Sequence, residues 1–394
     1  MLFSLALIFL CGILLGGIFK RIGLPSLLGM LITGIVLGPN MLNLLDMNIL
    51  LISADLRQLA LIIILTRAGL SLDINDLKKV GRPAILMCFV PACFEIVGMV
   101  LLAPKLLNIS IFESVVMGAV IAAVSPAVIV PKMLYLMENG YGTNKSIPQM
   151  IMAGASVDDV FVIVVFTSAV GLTQGESVSA LSILKIPSSI IIGIIAGVIL
   201  GGALNIFFKK VHIRDSSKVI ILLSISFLLV AVENISMIPF SGLLAVMSTG
   251  IIIQKKNTVV ATRLSKKYSK LWVAAEVILF VLVGATVDLK YALTSGVSAA
   301  IVIIGALVFR MLGVFICMIK TNISIKERLF CMIAYMPKAT VQAAIGSLPL
   351  SMGLSCGNIV LTVAVLAILI TAPLGALGAD LTFKKLLYHQ NPNK

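Results

Sequence analysis

Met336-Pro337-Lys338-Ala339-Thr340-Val341-Gln342 lies in the middle of an apolar run that extends from about residue 325 to 349. Proline removes a backbone donor and interrupts a helix, and a lysine beside it places a charge where the surrounding sequence calls for hydrocarbon. A second interruption, Val124-Ser125-Pro126-Ala127, sits seven apolar runs earlier. Half-helices whose ends meet inside a membrane expose unpaired carbonyl and N–H groups, and charged or polar groups settle there. Two such breaks at matching places in two halves of a chain point to a transporter with its site at the middle of the bilayer.

The composition supports a membrane setting. Of 394 residues, 60% are hydrophobic and only 12% charged, with a mean hydropathy of +1.16. A soluble domain of this size needs more charge to cover its surface, whereas runs of about 20 apolar residues cross a bilayer as helices. Ten-residue alternation is absent, which disfavours a barrel. The expected architecture is an all-α polytopic membrane protein of about thirteen spans, near 2–19, 24–39, 54–72, 83–104, 112–135, 147–172, 182–207, 217–235, 238–254, 266–287, 296–319, 325–349 and 355–378.

The net charge of +14 does not indicate nucleic acid, because the basic residues fall in short tufts between apolar runs. Lys20/Arg21, Lys78/Lys79/Arg82, Lys145, Lys209 to Lys218, Lys255 to Lys270, Lys320 to Arg328 and Lys384/Lys385 occupy one set of loops. The alternate set holds little beyond Lys105, Lys185 and Lys290. By the positive-inside rule this places the N-terminus outside and the C-terminus in the cytoplasm, in the cell (inner) membrane. Residues 2–18 lack a basic n-region and a clear cleavage site, so they read as a retained first helix. Too little chain follows the last span for a cytosolic nucleotide-sensing domain. The six cysteines show no CxxC spacing and read as small apolar residues, with no structural metal and no cofactor implied.

An internal repeat underlies the order of spans. Gly69-Leu70-Ser71-Leu72-Asp73 ends the third span and Gly284-Ala285-Thr286-Val287-Asp288 ends the tenth. Glu95 and Arg310 are separated by the same interval as Gly69 and Gly284. An odd difference in span number makes the repeats inverted, with span seven as linker. Glu95 and Arg310, an acid and a base at repeat-related positions on spans four and eleven, are expected to form a salt bridge.

A charge at the centre of a membrane helix costs about 2.5–3.5 kcal/mol on insertion scales, so the few that occur there need pairing or a function. Asp158 and Asp159 lie in Gly154-Ala155-Ser156-Val157-Asp158-Asp159-Val160, about midway along span six. Adjacent helix residues point about 100° apart, so one carboxylate faces a neighbouring helix while the other faces a cavity. A buried carboxylate holds either a proton or a dehydrated cation such as Na⁺, and mutual exclusion at one site is sufficient for exchange. Structural pairing is the bland alternative, and two adjacent acids are hard to satisfy that way. Glu233 and Glu276 read as interfacial or rim positions, and Lys132 and Arg67 as snorkelling residues near span ends. His212 and His389 are the only histidines and fall in cytosolic segments, so the pH dependence is expected to come from proton competition at the aspartates.

Pro337-Lys338-Ala339-Thr340-Val341-Gln342-Ala343-Ala344-Ile345-Gly346, with Asp158-Asp159 and Arg67-Ala68-Gly69-Leu70, resembles the cation:proton antiporter superfamily. Within its monovalent cation:proton antiporter-2 family, the chain is most similar to bacterial relatives of the animal mitochondrial-type, or NHA-type, sodium/hydrogen exchangers. The resemblance covers essentially the whole chain. It implies a homodimer in which a transport core moves, elevator-fashion, against a scaffold. The scaffold would be 1–73 (spans one to three) and 217–287 (spans eight to ten), the core 83–172 (spans four to six) and 296–380 (spans eleven to thirteen), and the linker 182–207. It implies that Asp159 coordinates the cation with Asp158 beside it, that Lys338 partners Asp158, and that Glu95 partners Arg310. Ser125, Ser156 and Thr340 are candidate secondary ligands. Arg310 stands where many electrogenic members carry a lysine, and because arginine keeps its proton, this departure favours electroneutral exchange.

The expected function is secondary active Na⁺(Li⁺)/H⁺ antiport, with monovalent cations and protons as substrates. K⁺/H⁺ antiport and Na⁺-coupled symport of an organic solute are the alternatives. An intramembrane aspartyl protease is disfavoured because its two acids must face each other from different helices. A channel suits a broken-helix inverted repeat less well than alternating access does.

Overall fold

The computed structural model describes residues 1–72, 81–173, 180–211, 213–235, 240–287 and 289–389, whose regular elements are helices with no β-strand among them. Asp73, Lys78, Lys79, His212 and Asp288, named above, lie outside the described residues. The chain divides into two compact units, Met1–Ala54 with Asp76–Thr173 and Leu279–Lys394, and Asp55–Asn75 with Gln174–Ile278.

The first unit contains α1 (Leu2–Arg21), α2 (Ser26–Leu37), α3 (Met47–Leu51), α5 (Arg82–Met87), α6 (Val90–Leu107), α7 (Ile111–Ala122), α8 (Pro126–Glu138) and α9 (Ile147–Thr173). It continues with α14 (Leu289–Cys317), α15 (Ile325–Ala334), α16 (Thr340–Ile345), α17 (Leu348–Ser351) and α18 (Gly357–Leu386). The second unit holds most of α4 (Ser53–Ser71), α10 (Ala180–Lys210), α11 (Asp215–Ile235), α12 (Gly242–Lys256) and the larger part of α13 (Thr258–Ala285).

Each of the thirteen expected segments coincides with a helix or a run of short helices. Among the described residues, nine helices are long and apolar enough to cross a bilayer. The other four segments miss that measure for physical reasons. α2 has 12 residues and α12 has 15; α4 carries Asp55, Arg57 and Arg67; residues 325–349 are split into α15, α16 and α17.

Small residues set the helix spacing, as expected where lipid offers no hydrophobic drive between helices. In the second unit Gly193, Gly197 and Gly201 of α10 lie against the carbonyls of Ser241, just ahead of α12, and of Ala245 and Thr249 within it, where a Cβ would come within 2.5–2.7 Å of each oxygen. The matched rise of both numbers shows that α10 and α12 run parallel. Also in the second unit, Gly69 of α4 meets Gly250 of α12; in the first, Gly284 of α13 meets Leu31 and Gly34 of α2. Gly69 and Gly284 are the repeat mates read from the sequence, and their partners Gly250 and Gly34 are separated by almost the same interval. The same close crossing is therefore built twice, once in each unit.

Helix starts repeat the pattern. Ser110 and Glu113 form a capping box at the start of α7, and Ser324 and Glu327 form another at the start of α15, nearly one repeat interval further on. Each glutamate also reaches the residue two positions before a long helix. Glu113 accepts from Ser355 at 2.6 Å, ahead of α18, and Glu327 accepts from Lys145 at 2.7 Å, ahead of α9. A capping box satisfies two helix-terminal donors at once, and here it also ties down the approach to a second helix.

Candidate functional site

Both expected breaks are present. α7 ends at Ala122, residues 123–125 are extended, and α8 starts at Pro126. α15 ends at Ala334, residues 336–339 are non-helical, and α16 starts at Thr340. The two breaks cross in direct contact: the Ser125 N–H donates to the Pro337 carbonyl at 2.8 Å. Pro337 packs against Gly375 of α18, where a side chain would collide with its ring.

In hydrocarbon each freed backbone group must find a partner inside the protein. The Val124 N–H donates to Asp158 Oδ2 at 2.9 Å. The Lys338 N–H donates to the Thr371 hydroxyl at 2.9 Å. The Ile121 and Ala123 carbonyls accept from Gln342 Nε2 at 3.0 and 2.9 Å. Arg310 of α14 takes two more, donating through Nη1 to the Ala122 carbonyl and through Nε to the Tyr335 carbonyl at 2.9 Å.

The same guanidinium joins the acids. Nη1 donates to Glu95 Oε2 at 2.8 Å and Nη2 to Asp158 Oδ2 at 2.9 Å. Lys338 Nζ donates to the same Glu95 oxygen at 2.5 Å. Glu95, Asp158, Arg310 and Lys338 are all buried. α6 and α14 bring Glu95 and Arg310 together by crossing antiparallel, with Gly98 against Phe309 and Gly313 against Pro91 on either side of the pair.

The Glu95–Arg310 bridge expected from the repeat is thus formed. The expected pairing of Lys338 with Asp158 is not: Lys338 bonds Glu95, and Arg310 is the partner of Asp158. The reason is reach and valence, since Arg310 has five donors in a planar fork and enters from a third helix to touch both breaks and both acids. Lys132, read as a snorkelling residue, has a partner that the sequence did not suggest. It bonds Asp380 on α18 and lies 4.3 Å from the centroid of the Phe383 ring. Glu233 accepts from the Gly242 N–H at 3.0 Å and so closes the start of α12.

Asp159 stands apart from these pairs. It is 8% exposed, forms no ion pair among the described residues, and its Oδ1 is buried without a hydrogen-bond partner. Among the described residues, Asp158 Oδ1, Glu95 Oε1, Ser125 Oγ, Thr340 Oγ1 and Gln342 Oε1 are likewise buried and unpartnered. All belong to the breaks or to the helices packed on them. Hard cations take such oxygens as ligands. The side chain of Ser156 lies outside the described residues. Among the described residues no group of three His, Cys, Asp or Glu is placed to hold a resident metal. Gln342, Tyr335 and Thr371 do not stand out as site residues in the sequence; the only signal is that Gln342 closes the Pro337–Gln342 run.

Residues 5–385 match the family model described as "Sodium/hydrogen exchanger, transmembrane". The chain belongs to the sodium/hydrogen exchanger family. Within the cation:proton antiporter superfamily this is the NHA-type branch. The exchanger is 33% identical to sodium/hydrogen exchanger 9B2 of Homo sapiens, over 100% of this chain and 77% of that protein. It is 32% identical to sodium/hydrogen exchanger 9B1 of Homo sapiens, over 100% of this chain and 80% of the other. A solved structure of the sodium proton antiporter MjNhaP1 from Methanocaldococcus jannaschii superposes with a TM-score of 0.85 at 20% identity, covering 97% of each chain. At that identity the likeness shows a shared fold. Family membership makes the exchanger a multi-span membrane transporter rather than an enzyme.

Proposed function

We propose that this exchanger carries Na⁺ or Li⁺ in exchange for H⁺, with Asp159 as the carrier of either ion. The observation that carries the reading is the charge balance of the site. Glu95 and Asp158 contribute two negative charges, Arg310 and Lys338 two positive ones, and these four are bonded to one another. Asp159 is one buried negative charge left over. It requires one monovalent positive partner, and a proton and an alkali cation meet that requirement equally but not together. Exchange of one for the other leaves the charge of the site unchanged, so the reading is 1:1 and electroneutral.

In this reading Asp158 orients the extended segment of the first break through the Val124 N–H and offers Oδ1 toward the ion. Ser125 and Thr340 supply further oxygens. Residues 83–172 and 296–380 form the transport core and move against a scaffold of 1–73 and 217–287, joined by 182–207, in a homodimer. That Glu95, Asp158, Asp159, Arg310 and Lys338 all fall within 83–172 and 296–380, and that four of them are bonded to one another, supports such a core. The basic tufts support an inner-membrane orientation with the N-terminus outside.

The test is purified exchanger in liposomes with an imposed Na⁺, Li⁺ or K⁺ gradient and an internal pH dye, with and without a clamp on membrane potential. The expected result is a pH change driven by Na⁺ and Li⁺ whose rate is the same with and without the clamp. Absence of any alkali-ion-driven pH change refutes the exchange, and strong stimulation by the clamp refutes the charge count.

A further inference from the structure

α7 ends on a row of three carbonyls, Ile121, Ala122 and Ala123, at the partly negative end of a half-helix. Such termini, where helices break inside a membrane, are natural cation sites. Here none of the three is open. Ala122 is taken by Arg310, and Ile121 and Ala123 are both taken by the single amide nitrogen of Gln342, reaching across from α16. The orientation of that amide is fixed by its partners, because a flip would set its oxygen against two carbonyl oxygens. The fixed orientation carries a penalty, since Gln342 is 1% exposed and its Oε1 finds no donor among the described residues. A residue present only to fill space would not leave a buried acceptor unpaired.

We propose that Gln342 is a positioning residue that sets ion specificity: it denies cations the C-terminus of α7 and thereby holds the load to one cation per chain at the carboxylates. This rests on the exchange reading above and adds to it a reason why two cations are not carried. Arg310 cannot fill the role alone, because its donors are divided among Glu95, Asp158, Tyr335 and Ala122. Gln342 is the side chain that closes the remaining two carbonyls.

Two substitutions separate the parts of the claim. Gln342→Met keeps the length but removes both donors, reopening Ile121 and Ala123 without adding charge. The ratio of apparent KM for K⁺ to that for Na⁺ is expected to change by about tenfold, the equivalent of about one hydrogen bond, with a smaller change in kcat. Gln342→Glu removes the donors and adds a negative charge beside the reopened carbonyls, and its transport is expected to become sensitive to the potential clamp. A purely structural role lowers kcat for all cations alike and leaves the KM ratios and the clamp response as in wild type; that result overturns the assignment. A measurement independent of variant folding is equilibrium binding of radioactive Na⁺ to wild-type protein, where one ion per chain is expected and two per chain overturns it. If the wild type moves no protons in response to Na⁺, the exchange reading fails. If it exchanges normally while Gln342→Met keeps its selectivity, only the assignment of Gln342 fails.

Discussion

Asp159→Asn is expected to reduce Na⁺-driven proton movement to the level of protein-free liposomes while the protein folds as well as wild type or better. Asparagine matches aspartate in shape but holds no proton at that position and balances no cation. The structural side of the expectation follows from what Asp159 lacks. It makes no ion pair among the described residues, so nothing charged is stranded when its charge is removed. A lone carboxylate within a membrane helix is destabilising by about 2.5–3.5 kcal/mol on insertion scales, and neutralising it relieves that burden. The measurements are vesicle transport and the melting temperature in detergent. Retained exchange rejects the site, and loss of exchange accompanied by unfolding rejects the claim that Asp159 is structurally unpaired.

Glu95→Gln is expected to have the opposite effect on stability. Glu95 Oε2 accepts from both Arg310 and Lys338. Without that carboxylate, Lys338 loses its ion-pair partner and Arg310 keeps only Asp158. Removing one partner of a buried ion pair is destabilising by about 3–5 kcal/mol, because the remaining charge stays in a medium that solvates it poorly. Arg310 also holds the carbonyls at both breaks, so loosening it frees backbone groups that have no water to turn to. Denaturation in detergent should show a lower melting temperature for Glu95→Gln beside an unchanged or raised one for Asp159→Asn. Equal melting temperatures in the two variants contradict the division of the acids into one paired set and one unpaired member.

The two breaks were legible in the sequence, because proline and an intramembrane charge both leave local marks. So was the Glu95–Arg310 bridge, since an interval shared with Gly69 and Gly284 is visible without coordinates. The partner of Asp158 was harder to read. Lysine and arginine on different spans were both available, and only the crossing of α6 with α14 decides that Arg310 reaches Asp158 while Lys338 turns to Glu95. Gln342 belongs to the run that resembles the family, yet nothing local marks its role. A neutral side chain in a half-helix has no tell-tale cost in sequence, and its two acceptors lie far away along the chain, on the other break. The capping boxes at Ser110 and Ser324 have the visible form Ser-x-x-Glu, but their longer reach to Ser355 and Lys145 depends on tertiary packing. Four of the thirteen expected segments do not reach the length and hydropathy of the nine that could cross a bilayer among the described residues: α2 and α12 are short, α4 is charged, and residues 325–349 are split.

The most direct test of the central claim is the apparent KM for Na⁺ measured as a function of pH in wild-type liposomes. One proton and one cation competing for one carboxylate require KM to rise by about tenfold for each unit of falling pH on the acid side, while the maximal rate at saturating Na⁺ is retained. A slope of one in that plot is the expected result. A KM indifferent to pH, or a slope of two reporting a second titrating group in the competition, contradicts it.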